Sequence, residues 1–291
     1  MGYSVASSQF KEVRQVKKLL VALLVVGLIA GTAFGAGLRM GVLTKQNMSE
    51  EEFINSLMST EADFPGWRIK NLEHSSEDGL AYFDSLTAML MALRSGRIDE
   101  AAMPAFVAEY VVNMNNDFTI SCAIHMPTTH LALGFRNDAS GRRLREMVNI
   151  ALKSMKTDAT LDILHAKYLG MPGKSVPAAA VFTNFLRAET IRVAVTGDLP
   201  PLDMISPNGT PVGFNTAVLA ELGRRMGLNI ELVNIEASAR TSALTSGRVD
   251  AVFWYQIWQT GGKEPDLPDG VLLSESYYGW DMFMHIKHSV R

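Results

Sequence analysis

Apolar residues recur three or four positions apart at Leu86, Met89, Leu90 and Leu93, a helical stripe that Asp84 or Ser85 opens and Gly96 closes. A longer stripe runs through Leu144, Met147, Val148, Ala151, Leu152 and Met155. A shorter one at Leu161, Leu164 and Tyr168 stops at Gly170 and Pro172. Val218, Leu219, Leu222 and Met226 form a further helical face, with Asn215 as the expected cap and Gly227 at its end. Between these stripes lie apolar runs too short for helices: 38–44, the stretch at Ile98, 191–195 and 249–253. They read as buried strands. Pro207-Asn208-Gly209-Thr210 reads as a hairpin tip, because Asn-Gly suits a type I′ turn. Strand, helix and strand in succession predict βαβ units and an α/β fold.

The chain also repeats itself. Ala92-Leu93-Arg94-Ser95-Gly96-Arg97-Ile98-Asp99 recurs as Ala243-Leu244-Thr245-Ser246-Gly247-Arg248-Val249-Asp250. Leu38 to Thr44 is echoed by Ile191 to Gly197, at nearly the same offset. Both halves open on a short apolar strand, and both later end a helix at a glycine before another strand. Related lobes are the expectation. Asp99 and Asp250 should anchor the turn or the neighbouring strand rather than a ligand. Residues 171–190, with Pro172, Gly173, Pro177 and the run Ala178-Ala179-Ala180, read as a linker between the halves.

The start of the chain has another pattern. Lys11, Arg14, Lys17 and Lys18 precede the apolar run Leu19–Ala30, and Ala33-Phe34-Gly35 offers small residues at a cleavage site. This is the pattern of a cleavable export signal over residues 1–35. An uncleaved anchor is the alternative, since the run approaches the length of a membrane span. The 291 residues are 47% hydrophobic and 20% charged, with net charge −3, which excludes a disordered chain and argues against nucleic acid as a partner. A single cysteine, Cys122, excludes an intrachain disulfide framework. A periplasmic or secreted location follows from the signal.

The order of motifs from residue 191 resembles the family 3 extracytoplasmic solute-binding proteins, the amino-acid-type receptors of ABC importers. Ile191 to Leu202 is similar to that family's opening strand and first ligand loop, and Gly209 to Asn215 to its hairpin and Gly-Phe-Asp segment. Leu244 to Asp250 resembles its Leu-x-Ser-Gly-Lys-Val-Asp signature, and Ser274 to Tyr278 its segment before the crossover. Residues 38–170 resemble the remainder of the family, with Leu131–Asp138 like the return crossover and Leu144–Gly170 like the terminal helices. The back of the family pattern therefore comes first, which suggests a circular permutation with 171–190 joining the usual ends. Tandem half-domains are the alternative. The resemblance implies a periplasmic-binding-protein-like α/β fold of two lobes joined by crossover strands, with a ligand cleft between them. The expected division is 1–35 signal, 36–130 second lobe, 131–170 crossover and helices on the first lobe, 171–190 linker, and 191–291 first lobe ending in a hinge strand.

A cleft at the carboxyl ends of strands places the candidate ligand residues at Asp198, Trp254, Tyr255, Gln256 and Tyr278 on one side. Thr44, Lys45, Asn47 and Met103 lie on the other. The 44–47 turn could hold an anion on its backbone N–H groups, while Trp254 and Tyr255 could equally continue a buried strand. Three departures from the family bear on the ligand. Ile257 to Lys263 lacks the arginine that clamps an amino-acid carboxylate, the amine-binding acid falls near Met103, and the segment after Phe214 reads Asn215-Thr216-Ala217. An aromatic cleft of this kind suits a neutral or cationic organic solute, amino-acid-like, an amine or related.

Gly-x-Ser-x-Gly, His-Glu-x-x-His and Gly-x-Gly-x-x-Gly are all missing from the sequence, so no catalytic residue, metal site or cofactor is expected. The expected activity is non-enzymatic capture of a small organic solute by a monomer that serves a membrane ABC permease. The alternatives are a ligand-sensing module for a membrane receptor, and a dehydratase-like enzyme on the same fold using Asp198 or Asp84.

Overall fold

The structure, a computed structural model, describes residues 39–43, 79–170, 178–206, 208–258 and 268–289. The export-signal segment, the 44–47 turn and residues 171–177 lie outside the described residues. Nineteen residues, Phe118–Arg136, form the long strand β4, and Tyr278–His288 form β12 antiparallel to it. Around this pair the strands order as β2-β1-β3-β12-β4-β10-β5-β9, with β11 also on β4. Here β1 is Arg39–Leu43, β2 Gly79–Phe83, β3 Glu100–Pro104 and β5 Thr190–Val195. The remaining strands of this sheet are β9 at Asn229–Asn234, β10 at Ala251–Trp258 and β11 at Val271–Leu273.

The two halves of this sheet have the same topology. In one, β1 lies between β2 and β3, all parallel, and β3 meets β12 antiparallel, which in turn meets the early part of β4. In the other, β5 lies between β9 and β10, all parallel, and β10 meets the late part of β4 antiparallel, which in turn meets β11. The chain therefore forms two α/β lobes that share β4 and β12. The division expected at 130/131 falls inside β4, because one continuous strand serves both lobes.

The repeated octapeptide closes the same structural unit twice. Helix α1 (Leu86–Ser95) starts at Ser85, whose Oγ accepts from the Ala88 N–H, and ends at Gly96 with φ 73°. The short helix at Arg240–Thr245 is followed by Gly247 with φ 77°. Both glycines take a left-handed conformation that a side chain would strain. The aspartates that follow then reach back to the first strand of their own lobe. Asp99 accepts from the Arg39 backbone N–H at 2.9 Å and from its guanidinium at 3.0 and 2.8 Å, while its own N–H donates to the Arg39 carbonyl at 2.8 Å. Asp250 repeats this with Arg192 at 2.9, 3.1, 3.0 and 2.8 Å. The pairing fixes the register of β1 and of β5 and occupies both aspartates within their own lobes. Burial pushes the Asp250 carboxyl up, but the Arg192 guanidinium and N–H pull it lower still, so it stays charged.

The remaining helices, in chain order, are α2 (Ala105–Met114), α3 (Ala139–Thr157), α4 (Thr160–Tyr168), α5 (Phe214–Met226) and the short α6 (Arg240–Thr245). Helices α3 and α4 lie against α5, within the lobe built on β5. The later part of the expected linker, 178–189, is laid along this lobe. Ala179 bridges Val212, and the Phe185 N–H donates to Asn229 Oδ1 at 2.8 Å. The hairpin appears as β7 (Asp203–Ile205) and β8 (Pro211–Val212).

One expectation is corrected here. Asn215 does not cap α5; the N-cap is Gly213, with no side-chain cap bond. The Phe214 and Asn215 N–H groups donate instead to the Pro201 and Leu202 carbonyls at 3.0 and 2.8 Å, which leaves the Asn215 side chain free to turn inward. A Cβ at Gly213 would come within 2.6 Å of the Leu202 carbonyl oxygen, so this close approach requires glycine.

Asp99→Ala strands the Arg39 N–H and is expected to cost about 2 kcal/mol. Arg39→Ala keeps the backbone bond and should cost distinctly less, as read by calorimetric melting of the two variants.

Candidate functional site

The loop after β5 in one lobe meets the turn after β2 in the other. These two segments carry polar contacts between the lobes. Asp198 begins the two-residue strand β6 (Asp198–Leu199) just after β5. Its carboxylate accepts from the Leu86 N–H at 2.8 Å and from the Thr87 hydroxyl at 3.1 Å, both in the first turn of α1 on the opposite lobe. Burial pushes the Asp198 carboxyl up, the bonds from Thr87 and Leu86 counter part of this, and the Glu236 charge adds to the rise.

The floor of this region holds an arginine that the sequence reading passed over. Arg240 opens α6, is 1% exposed, and donates to the carbonyls of Phe253 and Trp254 at 2.8 and 3.1 Å. Its guanidinium lies 5.0 Å over the Trp254 ring. Burial pushes its pKa down to about 10, and Asp203 of the same lobe and Asp84 beside α1 pull the other way. Asp203 is itself buried and accepts from the Thr196 N–H at 3.0 Å and hydroxyl at 3.1 Å. Burial pushes the Asp203 carboxyl up, which these bonds and Arg240 oppose. Arg240 is thus a fixed positive charge buried within this lobe, and backbone carbonyls and a buried carboxylate offset it.

Around the hinge the aromatic residues form a stack that joins the lobes. Phe106, at the start of α2, meets Trp280 at 5.3 Å and Tyr278 at 5.8 Å. Phe214 meets Tyr278 at 5.3 Å, and Phe253 stacks on Tyr277 at 5.0 Å. The Tyr277 hydroxyl donates to Asn215 Oδ1 at 3.1 Å. Burial pushes the Tyr278 hydroxyl up to about 12. Among the described residues, the indole N–H groups of Trp254 and Trp280, the Asn215 side-chain NH2 and the Thr129 hydroxyl are buried and make no hydrogen bond. Such groups carry a desolvation cost that a ligand atom or water can relieve.

The sequence candidates therefore separate. Asp198 lies at the contact between the lobes and Tyr278 at the hinge, whereas Trp254 is fully buried in the main core with Arg240 over its ring. Tyr255 is fully buried in a core cluster with its hydroxyl 2.9 Å from the Thr241 hydroxyl, and Met103 is 1% exposed in the main core beside Met284 of β12. Both are core residues by position, because alternate residues of a strand covered on both faces are all buried. Gln256 pairs through its backbone with Leu131, and its side chain lies outside the described residues. Thr44, Lys45 and Asn47 also lie outside them. Leu86, Thr87, Arg240 and Asp203 were not anticipated as cleft residues. Arg240 opens α6 and Asp203 lies in β7, so neither follows a strand that the sequence predicts, and the positional rule gave no signal for them.

Residues 191–260 match the profile of the bacterial extracellular solute-binding proteins, family 3, so the resemblance read from Ile191 onward is borne out over that segment. No curated protein sequence gives a significant match. Among solved structures, the ligand-binding component of an ABC-type import system from Staphylococcus aureus, with zinc bound, is 11% identical. It covers 87% of this chain and 66% of its own, with a TM-score of 0.44. The periplasmic aliphatic sulphonate binding protein SsuA from Escherichia coli is 12% identical, covering 88% and 63%, with a TM-score of 0.38. Prephenate dehydratase from Arthrobacter aurescens, in complex with L-Phe, is 11% identical, covering 86% and 60%, with a TM-score of 0.35. The chain spans slightly under two thirds of the length of these three proteins. Among the described residues no helix is long and apolar enough to cross a membrane.

Arg240→Ala removes the donor to two carbonyls and leaves Asp203 buried without its cation. It is expected to cost about 3–5 kcal/mol, measured by urea unfolding against the parent chain.

Proposed function

We propose that this chain is an exported solute-binding protein that captures a small organic solute between its two lobes and presents it to an ABC-type importer. The observation that carries this reading is a pair of lobes with the same topology, joined by two shared strands and meeting where Asp198 of one contacts the first turn of α1 in the other. Strands that continue from one lobe into the other make a hinge, and hinge closure on a ligand is the motion such an arrangement allows. The family match over the first strands of one lobe supports the same reading. Capture requires no chemistry of the solute, and the cleft residues have structural partners rather than the relay of an acid and a base.

The solute is proposed to be neutral or cationic, an amine or an amino-acid-like compound. Asp198 places the chain's own carboxylate on the N–H groups of α1, where a solute carboxylate would otherwise sit. Arg240 is held by backbone carbonyls. Tyr278, half-buried at the hinge, supplies an aromatic face for a cation. The order of the lobes is proposed to be a circular permutation of the family pattern. Helices α3 and α4 pack with the lobe that starts at Thr190, and residues 178–189 run along that lobe as a joint between former ends.

A thermal-shift screen of the full chain against amines, amino acids and short peptides tests the reading. A binder at 100 times its Kd should add about 2.7 kcal/mol of stability and be recovered unchanged. Conversion of the compound by the protein would overturn the receptor reading. A chain rearranged to run 178–291 followed by 36–170 should melt cooperatively near the parent temperature, and an unfolded product would contradict the permutation.

A further inference from the structure

The Asp198 contact joins elements that nothing else in their local structure requires to touch. Its donors, the Leu86 N–H and the Thr87 hydroxyl, belong to the first turn of α1, where the initial N–H groups have no partner within the helix. Ser85 caps this helix through the Ala88 N–H and leaves the Leu86 N–H to Asp198. The helix dipole adds a favourable field for the carboxylate. A second link runs beside it, because Asp84 of the same turn attracts the buried Arg240 guanidinium from across the cleft.

We propose that Asp198 and the first turn of α1 form a latch that holds the two lobes together when no solute is bound. The latch rests on the two-lobe reading of the cleft but is a property of the empty protein. It is made of a carboxylate and neutral donors, with no cation in its direct hydrogen bonds. Such a contact sets the lobes at closing distance and yields when a solute makes stronger contacts of its own.

The groups facing Asp198 fix the sign of its pH dependence. Burial raises its carboxyl, the Thr87 hydroxyl and the Leu86 and Thr87 N–H groups lower it, and Glu236 raises it again, with a net rise. Asp84 lies two residues before Leu86, and Asp203 and Arg240 lie behind Asp198 in its own lobe. A carboxyl raised in the latched state binds its proton more tightly there than when the lobes part. Latching is therefore strongest below the ordinary carboxylate pKa and weakens as pH rises through the latched value. At neutral pH the closed state holds a partly desolvated carboxylate, so the latch is releasable.

Hydrogen exchange of the unliganded full chain tests this. In the Asp198→Ala variant the Leu86 and Thr87 amides should exchange about tenfold faster, the effect of losing one charge-assisted hydrogen bond. The β3 amides of Ala101 and Met103 should keep their protection. Asp198→Asn keeps an acceptor and should restore most of the protection. Unchanged exchange at Leu86 and Thr87 in Asp198→Ala would overturn the latch. If Asp198→Ala exposes β3 as well, Thr87→Val becomes the deciding variant. A two- to threefold faster exchange at these amides supports the latch, and no change overturns it. After correction for intrinsic rates, protection should fall as pH rises from the ordinary carboxylate range, and a rise would contradict the linkage. Because no solute is present, a failed solute screen leaves this result unaffected, and a failed latch leaves the screen unaffected.

Discussion

Strand β4 has to satisfy two sheets at once. Its early residues hydrogen-bond to β12, which continues to β3, and its late residues hydrogen-bond to β10 and β11. Every lobe-level feature depends on this sharing. Because β4 and β12 are antiparallel neighbours, the lobes cannot separate without breaking a ladder, yet they can bend where the ladder slips. Register shifts occur between Trp280 and Met282 on β12 and between Phe253 and Tyr255 on β10. The aromatic stack of Phe106, Tyr278 and Trp280 sits at the first of these irregularities. Bulges of this kind bend and twist a strand locally, which is what a hinge between rigid sheets requires.

Rigidity within each lobe comes from the arginine–aspartate clamps. Arg39 with Asp99, and Arg192 with Asp250, tie the first strand of a lobe to the turn that leads into its third. The clamps are partly exposed, so their Coulomb energy is modest. Their value lies in geometry, since each aspartate satisfies a backbone N–H and a guanidinium together. With the lobes fixed internally and joined by a bendable pair of strands, the remaining freedom is opening and closing. The Asp198 contact acts on that freedom.

Much of this architecture was legible in the sequence because it repeats. The octapeptide ending in Asp99 and Asp250 marked both clamps, the glycines before them marked the helix ends, and the stripes marked α1, α3, α4 and α5, whereas α2 is apolar on most sides and showed no stripe. The cleft was less legible, for a physical reason. Strand periodicity identifies which residues follow a strand but not which side chains return from elsewhere. Arg240 reaches the middle of β10 from 13 residues before Phe253, and Asp198 finds its partners 112 and 111 residues away. Met103 and Tyr255 satisfied the positional rule and still point into the core, because both faces of their strands are covered. Asn215 had the right chemistry for a cap, but the carbonyls of Pro201 and Leu202 took that role first.

A crystal structure of the full chain with the solute found by screening tests the central claim most directly. The account predicts the solute between the two lobes, against Tyr278 and the first turn of α1, with β4 and β12 continuous through both. A solute bound outside the cleft, or halves of the chain that share neither strand, would contradict it.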